Sequence, residues 1–393
     1  MIADDLTGAA DTGVQLTRAG YRTAVMFREA DPPIQEFDAV SFDTDSRTLP
    51  AGFAARRVVE AGHAARDARI VYKKIDSTLR GPVAAELSAA LGATRRRSAL
   101  VAPAFPAAAR TTVGGVQLVH GVPVHETEMR NDVRTPVREG YVPTLLSKAF
   151  SSIVTLSVED LEDPERVRRA LAESECVVAD AERDADLEAL ARAVPEPSAV
   201  LWTGSAGLAL ALGAVYPGPR ARDAADSDQL SAPVRSVLVV IGSMHEASRR
   251  QLRRLVEEYG EIAIEVGGSG VEEAVAAARE VLSAGGCAVI HSPGTRQVSG
   301  GGTSLAEVAG ALAEGDLFDA LVLTGGSTAV RVARRLGASG IRLEGEVESG
   351  VPAGTLLGPA PYRVVTKAGG FGGPDTLVGA VRALSWNEED RRP

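Results

Sequence analysis

Asp4 and Asp5 stand side by side after the apolar stub at residues 1–3. Paired carboxylates can hold sugar hydroxyls or a metal-bound nucleotide, and one of them can take a proton from a hydroxyl nucleophile. One aspartate could equally cap the helix that begins near Gly8, but a cap needs a single residue and leaves the other for chemistry. A second polar set runs Lys73-Lys74-Ile75-Asp76-Ser77-Thr78-Leu79-Arg80-Gly81-Pro82, after one apolar run and before a helix opened by proline. Lys74 and Arg80 offer cations for a carboxylate, Arg80 through a bidentate fork, while Asp76 and Ser77 can bond hydroxyls. An ordinary surface loop with a capping serine is the alternative there. A third segment, from Pro103 through Arg110 and on to Pro136, is long and irregular, and such loops in compact domains tend to carry function. His120 and His125 within it have no i, i+4 partner, so metal ligation is disfavoured and no metal ligand is assigned.

The fourth set is made of glycine. Leu321-Val322-Leu323-Thr324-Gly325-Gly326-Ser327-Thr328 reads as strand, glycine turn and helix start, a geometry that aims backbone N–H groups and the positive helix end at a phosphate. Gly242-Ser243, and Gly369-Gly370-Phe371-Gly372 after Lys367-Ala368, have the same character. One such turn can reflect close strand-to-helix packing alone; three in one half of the chain point to a nucleotide. The Walker-type phosphate loop, the dinucleotide glycine fingerprint and the protein-kinase catalytic loop are all absent. A hydrolase nucleophile at Ser327 is disfavoured because the last histidine, His291, lies upstream of it.

These groups need elements to hold them. Apolar runs at 23–27, 39–42, 70–73, 98–102, 153–156, 176–179 and 200–202 read as buried strands, with amphipathic helical segments between many of them. Strand and helix alternate, which predicts an α/β fold with mainly parallel, doubly wound sheets. The alternation stops at a Pro-, Gly-, Asp- and Ser-containing stretch and then restarts. The expected organisation is a domain over 1–216, a linker over 217–235 and a second domain over 236–393, with the active site in a cleft between them.

Composition narrows the function classes. Hydrophobic residues make up 45 % of the chain and aromatic residues 4 %, which suits helices packed closely on buried strands. The net charge of −10, without a basic and aromatic face, disfavours nucleic acid as a partner. Two cysteines exclude a disulfide framework or a thiolate metal site. No apolar run approaches the roughly 20 residues that span a bilayer, so no membrane association and a cytoplasmic location are expected. A homo-oligomer is left open.

The strings IADDLTGAAD, YKKIDSTLRGP, APAFPAAARTTVGG, VHGVPVHET, TGGSTA and VTKAGGFGGPDTL, in this order from Ile2 to about Leu384, resemble the four-carbon acid sugar kinase family. The resemblance implies an acid-sugar-binding first domain and a nucleotide-binding second domain. It further implies ATP-dependent phosphorylation of D-threonate, D-erythronate, L-threonate or a 3-oxo-tetronate at the terminal hydroxyl, with Mg²⁺. Carried over by motif, Asp4, Asp5, Asp76, Ser77, Arg80 and Arg110 face the acid, and Gly242, Ser243, Gly325 to Thr328 and Gly369 to Gly372 hold ATP. Arg80, with Lys74 or Arg110, is the expected carboxylate anchor; the base is one of Asp4, Asp5 or Asp76. The chain departs from the family's pattern at Ser327, where Glu is usual, and at Ala109, Ala368 and Met244-His245. Members usually carry a longer strand before the paired aspartates, so either this strand is short or the true start lies upstream. The departures motivate two alternatives: a sugar-acid sensor without catalysis, and a kinase for a different small hydroxy acid.

Overall fold

The computed structural model describes residues 1–27, 34–220, 234–267, 270–293 and 301–384. The chain divides into two compact units, one of residues 1–21 with 37–222 and the other of residues 22–36 with 223–393. Most of the linker expected over 217–235 lies outside the described residues.

The first unit contains seven parallel strands in the order Ala39–Asp43, Ile2–Ala3, Val71–Lys74, Val200–Gly204, Ser98–Ala102, Cys176–Ala179 and Ile153–Leu156. Most of these strands are buried on both faces, so they read as continuous Val, Leu and Ala runs rather than alternating patterns. Leu100, Trp202 and Leu187 fill one apolar cluster, and Val58, Leu87 and Leu201 another. Beside the main sheet, Arg110–Val113, Val116–Val119 and Val122–Pro123 form a small antiparallel sheet. The amides of Gly114 and Gly115 at its first turn donate to the Asp180 carboxylate at 2.6 and 2.8 Å.

In the second unit the parallel strands run in the order Ala263–Glu265, Gly286–His291, Ser236–Ile241, Ala320–Thr324 and Arg363–Lys367. The chain leaves Ser236–Ile241 to build one side of the sheet and later returns to build the other, so this central strand is the topological switch point. Next to Arg363–Lys367 the sheet becomes antiparallel through Val351–Leu357, Gly340–Glu348 and Thr23–Phe27. Pairing with Gly340–Glu348 explains why residues 22–36 group with the second unit, although the sequence-level boundary put all of 1–216 in the first. The hairpin Gly340–Glu348 with Val351–Leu357 was not legible beforehand, because its Gly and Glu residues dilute the strand pattern.

Candidate active site

In the first unit the ionisable groups collect beyond the carboxyl ends of three adjacent strands, Ala39–Asp43, Ile2–Ala3 and Val71–Lys74. Asp5 is the N-cap of the helix Leu6–Arg18 and accepts from the Gly8 amide at 2.8 Å. Capping and chemistry are compatible here, because the carboxylate still reaches Arg47. That guanidinium donates from Nε and Nη2 to Asp4 at 2.6 and 2.9 Å, and from Nη1 and Nη2 to Asp5 at 2.6 and 2.8 Å. Its Nη1 also stands 3.9 Å from Asp76 Oδ1. One cation therefore joins the aspartates of two separate motifs.

Environment separates the pair. Burial alone would raise both carboxyls, but at Asp4 the Arg47 charge, with Lys73 and Lys74, outweighs it and holds the group below the ordinary carboxylate range. At Asp5 burial, reinforced by the Asp4 charge, prevails and the proton affinity is raised. Neighbouring acids driven in opposite directions can divide their roles, one staying an anion while the other is able to take up a proton.

Arg80 is already engaged, with Nε and Nη2 on Asp76 at 3.0 and 2.8 Å. Burial opposes ionisation of Asp76, yet the charges and hydrogen bonds of Arg47, Arg80 and Thr78 hold it far below the ordinary range. Lys74 Nζ donates to the Ile75 carbonyl at 3.0 Å, and a Cβ on Gly8 would come within 3.0 Å of that ammonium and 2.8 Å of Asp5 Oδ1. Ser77 meets the small sheet through its carbonyl, which accepts from Gln117 Nε2 at 2.8 Å. Arg110 donates to the Ala108 carbonyl of its own loop, and no ion pair joins it to the aspartate cluster among the described residues.

Sequence reasoning missed Arg47, Asp43 and the buried pair behind them. Lys73 Nζ lies 2.8 Å from Glu86 Oε2, with side chains 0 % and 2 % exposed, and Glu86 Oε1 accepts from Ser46 Oγ at 2.6 Å. Ser46 and Arg47 both donate backbone N–H groups to the Asp4 carbonyl, at 2.9 and 3.2 Å, so this pair supports the loop that aims Arg47. Burial, with the nearby Asp5, Asp45 and Asp4 charges, pushes Asp43 up to about 7. The signal was available: Asp43-Thr44-Asp45-Ser46-Arg47 is itself a polar run directly after an apolar strand.

In the second unit the three glycine turns follow Ser236–Ile241, Ala320–Thr324 and Arg363–Lys367, which are neighbours in the sheet, and the turns meet. A side chain at Gly242 would overlap the Thr328 hydroxyl, and one at Gly369 would overlap the Ser243 hydroxyl. Gly325 begins the helix Gly326–Arg335 with no side-chain cap, which leaves its first amides available to an anion. Ser327 is exposed and Thr328 buried at this helix start. The Gly369–Gly372 turn is fixed from beneath. Ser248 Oγ donates to the Gly369 carbonyl at 2.7 Å, Gln251 Nε2 to that of Phe371 at 3.0 Å, and Lys367 Nζ to those of Ala368 and Phe371 at 2.7 and 3.1 Å. Burial pulls Lys367 down to about 8. Gly370 lies against the His245 ring, and Phe371 is 47 % exposed. His245 Nδ1 accepts from the Ala247 amide at 3.2 Å, so the Met244-His245 departure keeps the next helix capped.

No group of three or more His, Cys, Asp or Glu side chains fit for a metal occurs among the described residues. No helix among them is long and apolar enough to cross a membrane.

Comparison with known proteins bears on both units. Residues 1–212 match the family described as Sugar-binding N-terminal domain, and residues 238–377 match Nucleotide-binding C-terminal domain. The chain is 38 % identical to a D-threonate kinase of Bordetella bronchiseptica over 98 % of this chain and 96 % of the relative. It is 36 % identical to a D-threonate kinase of Salmonella typhimurium over 97 % of each. A crystal structure of a Haemophilus influenzae protein shares the fold, with a TM-score of 0.78 at 22 % identity over 98 % of this chain and 99 % of that one.

Proposed function

The chain belongs to the four-carbon acid sugar kinase family, and from that membership we propose that it transfers the γ-phosphoryl group of ATP to the terminal hydroxyl of a four-carbon sugar acid, D-threonate first among the candidates. The observation that carries the site assignment is the divided aspartate pair on Arg47. Asp5 accepts the hydroxyl proton as the substrate oxygen bonds to the γ-phosphorus, the bond to the bridging oxygen breaks, and its electrons leave with ADP. Asp4 stays ionised and keeps Arg47 in place. Asp76 and Ser77 bond the remaining hydroxyls of the acid. We assign acid binding to the domain over 1–216 and nucleotide binding to that over 236–393.

The converging turns suit a polyphosphate, because the helix Gly326–Arg335 starts without a side-chain cap and leaves its first amides free beside the Gly242-Ser243 turn, against which Gly369 also packs. Gly242, Ser243, Gly325 to Thr328 and Gly369 to Gly372 hold the phosphates, and the exposed Phe371 ring offers a stacking face for the base. Mg²⁺ enters with the nucleotide, since it is commonly held by phosphates and only one or two carboxylates, and when bound it neutralises charge between the β and γ phosphates. The reaction belongs in the cytoplasm, where the buried free thiols of Cys176 and Cys287 stay reduced.

Measuring ADP release against D-threonate, D-erythronate, L-threonate and a 3-oxo-tetronate tests the proposal. Release that depends on one of these acids is expected. Equal release with and without every acid would end the kinase reading.

A further inference from the structure

Of the cations that the sequence offers for a substrate carboxylate, Arg80 and Lys74 are already engaged inside the protein. Arg80 grips Asp76 and Lys74 donates to the Ile75 carbonyl, while Arg110 donates to the Ala108 carbonyl of its own loop with its buried Nε left without a partner among the described residues. Arg47 is shared by Asp4 and Asp5. A carboxylate that had to displace these contacts would leave a buried aspartate unpaired, at a cost comparable to what it gained.

Unengaged charge lies close by. Within the first unit a cavity of about 400 Å³ opens beside Arg47, between Leu79–Pro82 and the segment 134–148. Its wall carries Arg134, Arg138 and Lys148, whose exposed side chains have no hydrogen bond or ion pair among the described residues. The one acid in the lining, Glu139, accepts from the Tyr141 amide at 2.7 Å through Oε1. Four cations thus face one partly satisfied carboxylate, in a protein whose net charge is −10. Like charges converging on a concave surface repel one another, and an anionic ligand relieves that repulsion. The volume falls in the range of small-molecule sites, about 300–1,000 Å³. Arg47 belongs both to this wall and to the aspartate pair, so a short acid held here lies next to the proposed base.

Resting on the kinase reading above, we infer that Arg134, Arg138 and Lys148 recognise the carboxylate of the acid sugar and set the preference for acids over uncharged polyols. The test uses the full chain and the double variant Arg138→Gln/Lys148→Gln, both at exposed positions where the fold does not depend on them. Affinity is measured calorimetrically for D-threonate and for threitol, which has a hydroxymethyl group in place of the carboxylate, alongside steady-state kinetics. The wild type is expected to prefer D-threonate. The double variant is expected to lose about tenfold in D-threonate affinity, the size of one charge-assisted hydrogen bond. KM for the acid should rise by the same factor, KM for ATP should stay fixed, and discrimination against threitol should shrink. Arg97→Gln removes an equally exposed charge, one paired with Glu196, and should change none of these. Undiminished D-threonate affinity in the double variant, or an equal loss in Arg97→Gln, overturns the inference. A wild type that phosphorylates D-threonate beside an unaffected double variant refutes the cavity assignment alone. A wild type that phosphorylates no tetronate refutes the kinase reading beneath it.

Discussion

Both units gather the groups proposed to bind ligands beyond the carboxyl ends of three adjacent parallel strands, but they build with opposite materials. The first uses charged side chains, with Arg47 tying Asp4, Asp5 and Asp76 together and Lys73 paired with Glu86 beneath. The second uses backbone, three glycine turns packed so closely that side chains at Gly242 or Gly369 would collide with Thr328 or Ser243. The difference suits what each is proposed to hold. A short hydroxy acid needs directional donors and acceptors and a proton acceptor of tuned affinity, whereas a polyphosphate needs several N–H groups and room to approach them. Charged sites bring a liability that glycine sites lack, since removing one partner leaves the other buried without compensation.

The comparison can be broken most forcefully at Asp5. Asp5→Asn keeps a good helix cap and the shape of the side chain but cannot accept the proton. A loss in kcat of about a hundred- to ten-thousand-fold is expected, the usual worth of a general base, with binding of both substrates retained. Steady-state kinetics with calorimetry checks it. The pH profile carries the sign: the base must be unprotonated, so activity in the wild type falls as pH drops through the raised Asp5 pKa, above the ordinary carboxylate range. A limb at an ordinary carboxylate pKa would deny Asp5 that role.

Glu86→Ala leaves Lys73 charged and buried, and a stability loss of about 3–5 kcal/mol is expected from denaturant titration. Replacing both partners by apolar residues of similar size should recover most of it. If the single variant is as stable as wild type, the claim that the first unit depends on compensated charge fails. Gly369→Ala places a methyl group against the Ser243 hydroxyl. Nucleotide affinity is expected to fall by about tenfold or more, with acid affinity unchanged, as read by calorimetry with each ligand separately. A matching loss in acid affinity would show that the turn serves more than the nucleotide.

Legibility in the sequence followed the same division. Strands 23–27, 98–102, 153–156 and 176–179 were readable to the residue, because unbroken apolar runs have few other interpretations. Each glycine turn was readable as well, since strand, glycine and helix start are contiguous. Arg47 was not singled out, because its partners lie about forty residues before it and about thirty after it, and only the parallel pairing of Ile2–Ala3 with both neighbours brings them together. The engagement of Arg80 was equally hidden: a sequence shows that a cation is present but not whether its charge is already matched.

The most direct test of phosphoryl transfer from ATP to a four-carbon acid is phosphorus NMR of the whole protein with ATP, Mg²⁺ and D-threonate. The expected product is ADP with a phosphomonoester coupled to the protons of the terminal carbon. ADP accompanied by free orthophosphate, or unchanged ATP with every tetronate supplied, would contradict the account.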